Sequence, residues 1–219
     1  MTLSVFFIPT LAVLAQLVPP IAVVPVWRRT SPARQWITIW CLVFFLSDMV
    51  QLVLAVTRGN NLFIFTYLQP IEDTLLLWAL SHWQTRPVTR MALRIAIPLV
   101  IATYITIAIV AGELDTFRIF SGPFRALLMM LCTAYTLISN VAASPERAWN
   151  HDWLWTTIGV LLYFGLLVIT DPIAAAMGPD QLVAMRRLYN ARSFGDVLAF
   201  VLIWRGMRCP LPTSSTGST

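Results

Sequence analysis

Asp48, Glu72, Asp73, Asp171 and Asp196, five of the ten acidic residues in the 219-residue chain, stand inside long apolar runs. A charged group at the centre of a membrane helix costs about 2.5–3.5 kcal/mol on insertion scales, so such residues must be paired or face a cavity. At a rise of about 1.5 Å per residue, Asp48, Glu72, Asp73 and Asp196 lie about 16–20 Å into their runs, near the middle of a bilayer. Asp171 and Arg192 fall nearer one surface. Arg192 and Asp196 are four apart and share a helix face, which makes them a natural ion pair.

One Arg against so many acids leaves carboxyl groups uncompensated, and an acid without a counter-charge in an apolar interior is a candidate proton donor. The competing expectation is a buried Arg–carboxylate network that fixes helix packing and does no chemistry. Gln69, Tyr67, Asn190, Ser47, Gln51 and Asn140 add polar groups that could complete such a network or contact a ligand. Pro70, two residues before Glu72, should bend its helix and free the carbonyl of Thr66.

Other chemistries are thinner. All fifteen basic residues are Arg, so Schiff bases and the lysine of a phosphate-binding loop are excluded. His82 and His151 have no second ligand at metal spacing, and neither a metal nor any other cofactor is implied. Cys41, Cys132 and Cys209 have no nearby Cys or His and read as small apolar fillers. Gly-rich phosphate loops and Ser–His–acid or Cys–His arrangements are missing. So are basic runs with interleaved aromatics, and nucleic acid is not an expected partner.

The elements that must position these residues follow from composition. Hydrophobic residues make up 58% of the chain and charged residues 11%, less than half the share of about 25% in soluble domains. Too little charge remains to cover a water-facing surface, so the expected solvent and partner is a lipid bilayer. A span needs about 20 apolar residues, and seven windows qualify: Ser4–Val26, Trp36–Val56, Asn61–Trp83, Leu93–Gly112, Gly122–Ser144, Trp153–Met177 and Leu182–Trp204. The sixth is weakened by Asp171, the seventh by Arg192 and Asp196.

The fold class is therefore all-α, a polytopic membrane protein of seven transmembrane helices. Residues 1–208 form one membrane domain, and residues 209–219, rich in Ser, Thr, Pro and Gly, a disordered cytoplasmic tail. The first window lacks a positive n-region and is followed at once by Arg28-Arg29, the wrong order for a signal peptide, so it reads as a retained helix. Pro19-Pro20 should kink it.

Arg28, Arg29, Arg34, Arg86, Arg90, Arg94, Arg147, Arg205 and Arg208 fall on one side of the alternation. Arg58 and Arg118 fall on the other, with Arg125, Arg186 and Arg187 at span ends. The richer side should be cytoplasmic, which places the N-terminus outside a cell membrane and the C-terminus inside. Trp27, Trp36, Trp83, Trp149, Trp153 and Trp204 lie near span ends, as an interfacial aromatic belt requires. A shift of 123 residues sets Asp48 on Asp171 and Asp73 on Asp196. A parallel three-plus-one-plus-three repeat would give that pattern.

Pro70-Ile71-Glu72-Asp73 resembles the Pro-x-Glu-(Glu/Asp) motif of the membrane-integral lycopene cyclases. Asp48 could match the Asp that those proteins carry upstream. The second half departs, with Phe194-Gly195-Asp196 where a second such motif would stand, and Ser47-Asp48-Met49 replaces Trp-Asp-Asn. The fungal membrane-integral meroterpenoid cyclases are similar in size and helix number, and use an acid in an early helix and an Asp in the last. Asp196-Val197-Leu198-Ala199-Phe200 resembles the last-helix segment of microbial rhodopsins, but Phe200 replaces the retinal lysine.

These resemblances imply a Brønsted-acid cyclase or isomerase of a prenyl-type (terpenoid) lipid. Glu72 and Asp196 would be donor and acceptor, with Asp48 and Asp73 in support. Gln69, Tyr67, Asn190, Arg192 and Trp78 would contact a lipophilic small molecule, and Trp78, Tyr163 and Phe164 could steady a carbocation. The alternatives are a small seven-helix transporter, a sensor of a lipophilic ligand, or a structural subunit with a membrane-protein partner.

Overall fold

A computed structural model describes residues 7–57, 62–114, 119–143, 145–177 and 181–210. Every element among them is helical: α1 (Phe7–Ala15), α2 (Val18–Val23), a 3-10 turn (Val24–Arg29), α3 (Pro32–Val56), α4 (Leu62–His82), α5 (Pro87–Val110), α6 (Ser121–Ala143), a second 3-10 turn (Pro145–Asn150), α7 (Asp152–Ala176) and α8 (Leu182–Met207). The chain is a multi-pass membrane protein. Five stretches are long and apolar enough to cross a bilayer, namely Phe7–Arg29, Pro32–Leu54, Pro87–Val110, Ser121–Ala143 and Asp152–Ala176. Neither α4 nor α8, which hold Glu72, Asp73, Arg192 and Asp196, is among them.

The expected kink in the first span is a break. Pro19 and Pro20 occupy the first turn of α2, where missing amides cost least, and the helix before them ends at Ala15. A second departure follows at Val26, whose backbone leaves the helical region. Pro32 starts α3 and Pro87 starts α5, four and six residues before the apolar windows suggested. Ser31 caps α3 by accepting the amide of Arg34 at 3.4 Å. Gly112, at a φ of 68°, closes α5, and its turn lets the amide of Glu113 reach the carbonyl of Ala108 at 2.7 Å.

The helices form a closed ring. From α2 to α8 each packs on its neighbours in sequence, α1 and α2 return to α8, and α4 also touches α6 across the interior. The tightest seam joins α7 to α8. A Cβ added at Gly159 would lie 2.6 Å from the carbonyl oxygen of Ala199 and 2.7 Å from a side-chain carbon of Ile203. The outer faces are apolar and exposed on every long helix, with Val53, Leu99, Ile138, Ile169 and Phe194 among the exposed side chains. So wide an apolar belt suits lipid and not water. Thr38, Thr74, Thr103, Thr133, Thr136 and Thr170 each donate to the carbonyl four residues back, which satisfies the hydroxyl inside its own helix.

Two polar clasps tie the ends of the ring. At one end Arg34 on α3 bonds Asp152 at the start of α7 at 2.8 Å and the carbonyl of Met207 at the end of α8 at 3.3 Å. Gln84 joins the same end by donating to Thr136 on α6 at 3.0 Å. At the other end the carboxylate of Glu113 accepts the amides of Ile119, Phe120 and Ser121 at 2.8–2.9 Å and so caps the start of α6. Burial pushes the Glu113 carboxyl up, but the Ser121 side chain and these amides together hold it below the usual carboxylate range. Neither clasp was anticipated from the sequence. Arg58, Arg118 and the tail from residue 211 lie outside the described residues.

Candidate functional site: a carboxylate layer over an aromatic floor

The sequence expectation of one arginine in the interior is wrong. Arg125 belongs to the interior and not to a span end, because α6 begins at Ser121 and turns Arg125 inward with Met129, Thr133, Thr136 and Asn140. Its Nε donates to both carboxylate oxygens of Asp73, at 2.9 and 2.8 Å, and its Nη2 lies 2.7 Å from Oδ1. The same Nη2 reaches Glu72 Oε2 at only 3.4 Å. Asp73 is thus held by a full guanidinium fork, while Glu72 is held loosely by one oxygen.

A second arginine unit stands nearer the Gly112 end. Arg192 on α8 bonds Asp171 on α7 at 3.1 Å and lies 3.6 Å from Asp196, four residues along its own helix. The expected pair with Asp196 exists, but the shorter contact crosses to α7. Asp48 on α3 sits between the two units, close enough for its charge to act on Glu72, Asp196 and Arg192. It accepts a 2.6 Å hydrogen bond from Gln16 of the first span, a residue with no place in the sequence-based site.

Five carboxyl groups therefore share two guanidinia, an excess of three acids. Their hydrogen bonding is uneven. Among the described residues Glu72 Oε1, Asp196 Oδ1 and Gln16 Oε1 are buried without a well-formed hydrogen bond, with the Ser47 side chain close to the Glu72 carboxyl. Exposure falls with depth, from 19% for the Asp171 and Arg192 side chains to 14% for Asp196 and 2% for Glu72 and Asp73. The polar layer thus opens toward the Gly112 end and closes at Glu72.

Aromatic side chains form the layer's floor. Phe44 precedes Asp48 by four residues, Phe200 follows Asp196 by four, and Tyr163 precedes Asp171 by eight. Because α3 and α7 run opposite to α8, these spacings place all three rings toward the Arg34 end, about 6 Å or more below the acids. Phe44 meets Tyr163 edge-on at 5.2 Å and lies over Phe200 at 6.0 Å, and Trp40 stacks on both Phe44 and Phe200 at 5.6 and 6.2 Å. Phe164 adds an edge contact to Tyr163 at 5.1 Å and lies under the Arg125 guanidinium at 5.7 Å. The Tyr163 phenol is within electrostatic reach of Arg192, Asp196, Asp48 and Arg125, and so joins the two layers.

Several expected contacts fall elsewhere. Trp78 packs against Trp36, His82 and the Arg94 guanidinium, on the α5 side and toward the Arg34 end. Tyr67 is 70% exposed and faces outward. Gln69 accepts from the Tyr104 phenol of α5 at 3.2 Å. Asn190 is half-buried and bonds none of the carboxylates, and Asn140 donates to the Thr136 carbonyl of its own helix. Ser47 and Gln51 bond each other at 3.3 Å, next to Asp48. Cys41, Cys132 and Cys209 are unpaired thiols, and the described residues hold no group of His, Cys, Asp and Glu able to bind a metal.

This arrangement places carboxyl groups beside electron-rich rings in a largely buried interior. Such a site can give a proton to a weak base and steady the cation that results. No protein-family model, curated protein or solved structure matches the chain.

Proposed function

We propose that the chain is a seven-span protein of the cell membrane, N-terminus outside and C-terminus in the cytoplasm, whose interior is a Brønsted-acid site for a lipophilic prenyl-type substrate. The observation that carries this reading is the pair of carboxyl oxygens without a well-formed hydrogen bond, Glu72 Oε1 and Asp196 Oδ1, above the floor of Trp40, Phe44, Tyr163, Phe164 and Phe200. One carboxyl group donates a proton to an alkene or epoxide of the substrate. The rings face the positive charge as it moves along the chain, and the other carboxylate accepts the proton that closes the reaction. Asp73 has a different part from the one the resemblance implies. With its oxygens taken by Arg125, it anchors the guanidinium that orients Glu72.

The seven-span count is supported by the two clasps. Arg34, Asp152 and Met207 can meet only if α3 and α7 begin, and α8 ends, on one side. The three-plus-one-plus-three repeat draws partial support, since the residues it equates, Asp48 with Asp171 and Asp73 with Asp196, all join the polar layer.

The test is conversion of lycopene and of an epoxidised prenyl-aromatic substrate by the purified protein in lipid, followed by mass spectrometry. Turnover should fall at least about a hundredfold in Glu72→Gln and in Asp196→Asn, with thermal stability kept. Turnover retained in both variants removes them from the mechanism. The exposure gradient favours a second reading, proton or solute transfer from the Gly112 end. Proteoliposomes that acidify with wild type and not with Glu72→Gln would favour it over the cyclase.

A further inference from the structure

At the opposite end from the carboxylate layer, α8 finishes in a groove of about 390 Å³ that none of the chemistry above uses. Its walls include Trp149, Trp155, Trp204, Arg205 and Arg208. The Arg205 guanidinium lies 4.1 Å from the centre of the Trp155 ring, and that of Arg208 lies 5.1 Å from Trp204. Trp155 is itself fixed, since its indole Nε1 donates to the carbonyl of Trp149 at 2.9 Å and the two rings are 5.4 Å apart. Both guanidinia therefore rest on indole faces with their positions set before any ligand arrives. Their N–H edges stay open to a bidentate oxyanion.

Local charge favours an anion as well. Asp152, whose charge reaches Cys209 of the groove, is itself engaged by Arg34 at 2.8 Å. The last carbonyls of α8 are capped, with Trp204 and Arg205 accepting the amide of Arg208 and Gly206 accepting that of Cys209. Neither arginine forms an ion pair with any residue whose side chain the structure describes.

What selects a lipid over a free anion is the surface above the groove. Phe194, Leu198 and Val201 are 66%, 52% and 41% exposed, and with Arg205 they fall at spacings of four, three and four residues. That spacing is one helical stripe, an open apolar track that ends at the two guanidinia. We infer that this groove binds the phosphate headgroup of an anionic phospholipid, whose acyl chains lie along the Phe194–Leu198–Val201 stripe. Basic pockets at the ends of membrane helices take such headgroups, helped by interfacial Trp. The inference rests on the membrane reading of the fold but not on acid catalysis.

The test is native mass spectrometry of the full chain in neutral detergent, titrated with dioleoyl-phosphatidylglycerol or dioleoyl-phosphatidylcholine. Wild type should retain the anionic lipid with about tenfold to thirtyfold preference, the worth of two arginines near a headgroup. The preference should collapse in Arg205→Gln/Arg208→Gln and survive in Arg28→Gln/Arg29→Gln, which removes the same charge from another part of that end. Should the first double variant fail to fold, Trp149→Ala, at a 68% exposed position, replaces it and should weaken retention severalfold. Equal retention of both lipids by wild type, or an unchanged preference in Arg205→Gln/Arg208→Gln, overturns the inference. Stabilisation by millimolar glycerol phosphate as strong as by the lipid overturns it too, and assigns the groove to a free phosphate. Loss of turnover in Glu72→Gln with lipid retention intact separates this site from the catalytic one.

Discussion

Removing the guanidinium of Arg125 is the sharpest test of how the interior is divided between anchored and unanchored acids. Its side chain is 5% exposed and makes three contacts of 2.7–2.9 Å with Asp73 against one of 3.4 Å with Glu72. Arg125→Met deletes the charge with little change of volume and leaves two acids facing one another. Breaking a buried ion pair on one side costs about 3–5 kcal/mol. For a chain of this size each kcal/mol moves Tm by about 2–4 °C, so the variant should melt roughly 6–20 °C lower in detergent. The informative quantity is the coupling. In a double-mutant cycle Arg125→Met with Asp73→Asn should recover about 2–3 kcal/mol, while Arg125→Met with Glu72→Gln should recover less than about 1 kcal/mol, because a 3.4 Å contact is a weak one. Thermal or denaturant unfolding of the four variants in each cycle, read by circular dichroism, gives both numbers. A Glu72 coupling equal to or larger than that of Asp73 would refute the division, and with it the choice of Glu72 as the free acid.

Two further predictions concern the frame around the site. Gly159→Ala should cost about 1–3 kcal/mol, because its Cβ would meet the Ala199 carbonyl at 2.6 Å and force α7 from α8. Gly165→Ala, in the same helix but with nothing within 4 Å of its Cβ, should be neutral or stabilise by up to about 1 kcal/mol; thermal melts of the pair check both. Glu113, held below its usual value of 4.5, contributes stability that is whole above about pH 5 and is lost as pH falls through and below its unfolded value. Melting of wild type against Glu113→Gln should differ by about 1–2 kcal/mol at neutral pH, and the gap should narrow steadily as pH falls below 4.5. A constant gap across that range would show that the carboxylate does not cap α6.

The all-helical fold and the acids were legible because each is a matter of composition along one stretch of chain. Asp48, Glu72, Asp73, Asp171 and Asp196 stand out in apolar runs whatever their neighbours do, and all five join the polar layer. Partners are a different kind of fact. Arg125 lies 52 residues from Asp73 and Gln16 lies 32 from Asp48, so no local spacing announces either contact. One signal did exist for Arg125. Ser121, Arg125, Met129, Thr133, Thr136 and Asn140 fall at helical spacing and form one buried face of α6, and an arginine in register with that stripe points inward. Its place at the end of an apolar window gives it the look of an interfacial residue. Trp78 misled for the opposite reason, since position along α4 gives depth but not azimuth, and its ring faces Trp36 and Arg94.

The two arginines sort the acids by what each can still do. A layer built only for packing would be best served by equal numbers of acids and bases with every oxygen bonded, because a half-satisfied polar group in an apolar interior is worse than none. Asp73, with Arg125 on both oxygens, and Asp171, with Arg192 at 3.1 Å, approach that condition. Glu72 and Asp196 do not, although each lies beside the same guanidinia, at 3.4 and 3.6 Å. The fold thus places two cations correctly and still leaves one oxygen of each of these acids without a hydrogen bond. Sequences retain such a cost where it serves function. An acid held at one oxygen by an arginine, itself locked by a second acid, is fixed in position yet free to gain or lose a proton. That combination is what proton transfer requires and what packing alone does not.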